Sequence, residues 1–466
     1  MKKLTRFFVL AMLLAAEAVP ARAAAVLTNS ALANDKIIIG WSSRGTMEVA
    51  NSLAGPWTTV TNATNPFTNS ISTNQQYFRL NLTVDTTTLH KKVLCGYQGW
   101  FRAGAEWDHW SRNWAVPPQT NALTNITFEM WPDMSEYTNQ YAVPGFTYPG
   151  GAPAYLYNAP DQQTIDTHFN WMQDYGIDGV VLQRFVVAIN GSPAMTNVLA
   201  NARAAANRTG RVIALEYDMS GADTNTLFGL MTNDWTWLCR TQHLTQDPRY
   251  LYHNGKPVLI IFGFYTNRFN DATLPQQIVN WFKTNAIQPV TLIGSGDWQW
   301  RIQTNNPGWS NLFRSFNGYL PWNTGNYSTS PTATNATTSY WAADLADATN
   351  HGMFYYPELY PGFSWSHLNG GPFNQVPRFG GNFLWNQFVA VANLGLDWAY
   401  VGMFDEVDEG TAIYKVTSTP PTQAQFLTYD QDGIALPNDW YLRLTAEGSS
   451  LLSGQIPYST RIPISP

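Results

Sequence analysis

Charge is scarce in this chain of 466 residues. Only 12% of its residues are Asp, Glu, Lys or Arg, about half the share of an ordinary globular protein. The 26 Lys and Arg against 32 Asp and Glu give a net charge of −6, which offers no basic footprint for nucleic acid. With 44% hydrophobic residues the chain is not a disordered polyelectrolyte. Cysteine is nearly absent, with Cys95 and Cys239 alone. Each sits in an apolar run, so two separately buried thiols are expected rather than a bridge. No Cys/His cluster and no H-x-x-x-H pair suggests a zinc site, so neither metal nor cofactor is expected. Long hydrophobic runs are missing too. Nothing reaches the ~18 apolar residues of a membrane-spanning helix.

Aromatic residues are abundant instead, at 14%, with 20 Trp, 23 Tyr and 24 Phe. Many Trp and Tyr beside abundant Asn and Thr suit a secreted protein that handles sugars; a large aromatic core is the plainer explanation. Lys2, Lys3 and Arg6 open the chain, Phe7 to Ala16 is apolar, and Ala21-Arg22-Ala23 fits a cleavage site. Residues 1–23 therefore read as an export signal, leaving a secreted or periplasmic protein with no membrane insertion after cleavage. Residues 24–85 hold short β-like runs at 37–41, 46–50, 57–60 and 77–82, punctuated by Asn, Ser, Thr, Gly and Pro. They read as a small all-β module, with a Thr-rich linker over 84–89.

From residue 86 to 466 strands alternate with helices. Strand-like runs lie at 93–101, 178–182, 211–217, 257–264, 289–294, 318–322, 352–357 and 398–404, each followed by a helical pattern. Eight such units predict an α/β fold of the (β/α)₈ barrel type. An open doubly wound sheet would want a Gly-rich phosphate turn after the first strand, and Tyr97-Gln98-Gly99-Trp100 offers none. Active sites of such barrels lie at the C-terminal strand ends. There the sequence places Tyr97, Trp110, Arg184, Asp218, Tyr265, Trp298, Trp322 and Glu358, which are expected to converge as a sugar pocket. Aromatic faces pack on the C–H faces of pyranose rings, and carboxylates bind hydroxyls.

The densest cluster is Asp405-Glu406-Val407-Asp408-Glu409-Gly410-Thr411. Crowded carboxylates repel one another and raise a pKa, which suits the proton donor of glycoside cleavage. Strand alternation puts Glu406 and Asp408 on one face and Asp405 opposite, so Glu409 joins Glu406 only if the chain bends. Without that bend Asp408 could take the place of Glu409. A calcium site and a solvated acidic loop are the competing explanations.

Phe404 to Thr411 resembles the W-N-E-W-x-E-G-T signature of glycoside hydrolase family 99, the endo-α-mannosidase family, which is related to family 71. Supporting matches are His109-Trp110, Gly176 to Val180 and Pro361-Gly362-Phe363, and the resemblance spans residues 90–415. It implies a metal-independent barrel acting with retention. Its first Glu would act as base on the sugar 2-hydroxyl, giving an anhydro-sugar intermediate, and its second as general acid/base. Carried onto this sequence, these are Glu406 and Glu409. Asp405, Val407 and Asp408 depart from the signature's Asn, Trp and His, so the sugar need not be mannose. A secreted glycoside hydrolase, monomeric and acting on a carbohydrate, is the expectation. A non-catalytic carbohydrate-binding barrel whose acidic cluster holds sugar or calcium is the alternative.

Overall fold

The computed structural model describes residues 27–33, 36–41, 45–61, 63, 65–70, 75–119, 125–285, 287–303, 307–329 and 334–466. The expected export signal lies outside them. The described N-terminal strands form two antiparallel sheets of three strands each. Leu27–Ala33, Lys36–Trp41 and Phe67–Ser70 make one; Thr58–Thr59, Thr46–Ala50 and Tyr77–Asn81 make the other. Ile39, Trp41 and Met47 are the buried centre of this small core.

Parallel strands follow at Lys92–Tyr97, Gly179–Phe185, Val212–Asp218, Lys256–Phe264, Thr291–Gly296, Gly318–Pro321, Phe354–Leu359 and Trp398–Val401. The seventh is broken into Phe354–Tyr355 and Glu358–Leu359. Its first half pairs with the sixth strand and its second half with the eighth. Tyr356 donates to the Tyr319 carbonyl and Tyr400 to that of Pro357, which carries the ladder across the break. The eighth strand pairs with the first, so the ring closes.

Local sequence explains the helices between strands. Pro193–Thr209 begins after Ser192, whose hydroxyl accepts from the Met195 N–H, and Pro193 fills the first turn. It ends at Gly210 in the left-handed region, φ 71°. Its Ala-rich stripe, Ala202, Ala205 and Ala206, is buried and lets the helix lie close on the sheet. The two thiols are separate and buried, as expected from their apolar settings. No helix among the described residues is long and apolar enough to cross a membrane.

Side chains alternate between the barrel interior and the strand–helix layer. Leu94, Val181, Ala214, Val258, Ile260, Ile293, Leu320 and Tyr400 fill the interior. The segment before the first strand is fastened to the barrel's N-terminal end. Arg249 donates to the carbonyls of Val84 and Gly210, Arg211 to that of Leu82, and Tyr252 N–H to that of Thr86. Leu89 is fully buried in the interior cluster. The expected linker over 84–89 is thus tied down: its Val84 carbonyl accepts from the half-buried Arg249 guanidinium and its Thr86 carbonyl from the Tyr252 N–H.

In the strand–helix layer Arg184 forms a two-pronged ion pair with Asp234 of helix Thr224–Arg240, and Tyr217 donates to the same carboxylate at 2.6 Å. Both charges are almost fully buried. Asp234→Ala leaves the guanidinium buried and unpaired. It should cost about 3–5 kcal/mol of stability, read from urea unfolding.

Candidate active site

The loop after the eighth strand carries the acidic cluster, and four neighbours hold its backbone. Phe404 N–H donates to the Gly96 carbonyl, Glu129 N–H to that of Val407, and Ser364 N–H to that of Glu409. Arg378 reaches the carbonyls of Gly410 and Ala412 at 2.7 and 2.8 Å. Gly410 has φ 64° and bonds back to the Val407 carbonyl, so the chain turns here. A side chain at this position would be strained.

The carboxylates of this loop have different environments. Asp405 faces the first strand's end and accepts from the N–H groups of Gln98 and Gly99 at 2.8 and 2.9 Å. Burial still pushes it up to about 7. Glu406 is 1% exposed, and neither of its carboxylate oxygens has a partner within the protein. Asp408 is buried, with Oδ2 3.1 Å from His109 Nδ1 and Oδ1 unpaired. Burial raises it, and His109 opposes the rise. Glu409 is partly exposed. Burial pushes it up to about 8, helped by the charges of Asp408, Glu358 and Asp218. Those three names place Glu409 among the carboxylates of the third, seventh and eighth strand ends.

Glu358 is fully buried and accepts from the N–H groups of Asn323 and Thr324 and from the Thr324 hydroxyl. Burial nonetheless lifts it to about 7. Gly402 makes its position possible, since a Cβ there would lie 2.5 Å from Glu358 Oε1. Asp218 accepts from the Ser220 N–H, and burial raises it as well. Tyr265 senses Glu358, Asp297, Asp218 and Glu409. Beside them a cleft of about 360 Å³ is lined by Tyr265, Asn267, Asp297, Trp298, Trp322 and Asn326. Trp298 meets Tyr340 edge-on, and Trp322 meets Phe262 in the same way.

The structure therefore brings Asp218, Tyr265, Trp298, Trp322, Glu358 and Glu409 to one end of the barrel. Three expected pocket residues lie elsewhere. Tyr97 points into the strand–helix layer, its hydroxyl 2.8 Å from His168 Nδ1. Arg184 is on the same outer face, paired with Asp234. Register explains both: Val181, Gln183 and Phe185 take the inward positions of the second strand, beside Ala214, Glu216 and Asp218. Trp110 belongs to an aromatic core of the long loop after the first strand. It packs on Phe101, Phe128 and Tyr157 and donates to the Tyr157 carbonyl.

Residues not anticipated take part. Glu216 is buried under the mouth, accepts from the Tyr400 hydroxyl at 3.1 Å, and rises to about 8 by burial and the Asp218 charge. Trp100 stacks on His109 with ring centroids 3.6 Å apart and on Phe185 at 4.9 Å. Inward parity could have found Glu216 and Phe185; the contact of His109 with Asp408 leaves no local sequence signal.

Comparison with known proteins places the fold. A scan of family models finds no match to the sequence, nor does a search of curated proteins. Among solved structures, the family 99 endo-α-mannosidase from Bacteroides thetaiotaomicron aligns at TM-score 0.56 and 15% identity. The alignment covers 79% of this chain and 99% of that one. The same enzyme in complex with bis-tris-propane aligns at TM-score 0.54 and 16% identity, over 79% and 98% of the two chains. The chain thus has a (β/α)₈ fold similar to that of these glycoside hydrolases. More narrowly, its fold is distantly family-99-like.

Proposed function

We propose that this protein is a secreted glycoside hydrolase that cleaves an oligo- or polysaccharide with retention, using Glu406 and Glu409. The carrying observation is Glu409. It is a partly exposed carboxyl at the barrel mouth, crowded by Asp408, Glu358 and Asp218 and raised to about 8. A carboxyl that keeps its proton near neutrality can donate it to a leaving oxygen. Glu406, buried without a protein partner, is then the base. It takes the proton of the sugar 2-hydroxyl, whose oxygen attacks the anomeric carbon as Glu409 protonates the departing oxygen. Glu409, now ionised, activates water for attack on the anhydro-sugar, and Glu406 returns its proton to the 2-oxygen. Two inversions give retention.

Trp298 and Trp322 supply apolar walls of the cleft. Trp298→Ala should weaken oligosaccharide binding roughly tenfold, ~1.4 kcal/mol, with the unfolding midpoint unchanged. Titration calorimetry on the cleaved glycan checks this. The function itself is tested by reducing-sugar release from a panel of neutral glycans, mannans and glucans included. Binding without release from every member would favour a carbohydrate-binding barrel instead.

A further inference from the structure

We propose that His109 and Asp408 are positioning residues that keep the transferable proton on Glu409 rather than on its neighbour. The proposal rests on the glycosidase reading above and says how the acid of that reaction is chosen. Asp408, which is buried, and Glu409, which is partly exposed, are neighbouring carboxyls, and the charge of Asp408 opposes ionisation of Glu409. Whichever of the two keeps its proton is the acid. The geometry settles that choice. Asp408 is 1% exposed and its Oδ2 is bonded to His109 Nδ1. Glu409 reaches the mouth and has no basic side chain bonded to it among the described residues.

The imidazole is held firmly in place. Its ring stacks on Trp100, 8° from parallel, and Trp114 lies beside it with centroids 5.9 Å apart and planes 29° off parallel. The Thr127 hydroxyl donates to the His109 carbonyl at 2.5 Å. His109 itself sits at φ 59°, in the left-handed region. Other charged groups around the pair are accounted for. Asp108, which also faces Asp408, is tied to Arg102. Asp405 is held by backbone N–H groups of the first strand's loop. Glu358, Asp218 and the Tyr265 hydroxyl face Glu409. His109 is thus the one basic side chain bonded to the acid loop's carboxylates among the described residues. A hydrogen bond from His109 Nδ1 to Asp408 favours that group's ionised form, so the transferable proton remains on Glu409.

The test is a double-mutant cycle read as pH profiles of kcat/KM on the cleaved glycan. His109→Asn suits it, because Asn tolerates positive φ while its shorter side chain gives up the imidazole's bond to Asp408. Asp408→Asn removes the neighbouring charge and should move the alkaline limb down by about one pH unit. His109→Asn should lower kcat several-fold near neutrality at unchanged KM. In the Asp408→Asn background the same change should add nothing. An Asp408→Asn profile that overlays the parent overturns the proposal. So does an equal loss from His109→Asn in both backgrounds, which is what a merely structural histidine would give. If His109→Asn does not fold, the Asp408→Asn profile decides alone. Full activity of Glu409→Gln would be a different failure, that of the catalytic assignment itself.

Discussion

Glu409→Gln is expected to cut turnover by about 10²–10⁴-fold, because Gln keeps size and hydrogen bonding but has no proton to give. That loss is roughly 3–5 kcal/mol of barrier if chemistry limits the rate. Glu406→Gln should cost as much, and binding of an intact oligosaccharide should survive in both. The two losses separate with an activated aryl glycoside, whose leaving group needs no proton. Such a substrate should rescue the first step in Glu409→Gln and leave Glu406→Gln inactive. In the parent enzyme kcat/KM should fall as pH rises through about 8, the value to which Glu409 is raised. Full turnover by Glu406→Gln would end the proposed mechanism.

Stability should decline between mildly acidic and alkaline pH, the reverse of the usual carboxylate behaviour. Glu216 is raised to about 8, and Glu358 and Asp405 to about 7. Unfolded, such groups titrate near 4. Between those values the folded chain binds more protons than the unfolded one, so stability falls as pH rises. The favourable contribution is complete below about pH 4 and gone once the pH passes the folded values of about 7 to 8. Each group contributes roughly 1–4 kcal/mol across that window. Urea midpoints at about pH 5 and pH 9 should differ accordingly, and Glu216→Gln should flatten the slope. A parent midpoint that rises steadily across the window would refute the buried-proton account.

Much of the barrel could be read from the chain because each strand is a compact apolar run between amphipathic helices. Helix Thr224–Arg240 follows the third strand, as the alternation of strands and helices predicts. The break in the seventh strand is hidden, since residues 352–357 read as one run, while the structure has strands at Phe354–Tyr355 and Glu358–Leu359. Side-chain direction was harder than strand position. Strand two reads Val180-Val181-Leu182 before Gln183-Arg184-Phe185, and a run apolar on both faces does not announce which residues point inward. Arg184 was therefore placed on the wrong face, and Glu216 passed over for Asp218. The acidic loop was conspicuous because carboxylates rarely crowd without reason. Its partner was not: His109 and Asp408 are 299 residues apart and meet only when the first and eighth strands close the ring.

The tie between the N-terminal segment and the barrel governs where the chain can be cut. Leu89 works as a cork in the barrel's closed end, and the carbonyls of Leu82, Val84 and Thr86 act as rivets for Arg211, Arg249 and Tyr252. A shortened chain that starts at residue 90 would expose an apolar bore and leave two guanidinium groups short of acceptors. One that starts at residue 82 retains both cork and rivets, and is the shorter piece expected to keep the barrel closed.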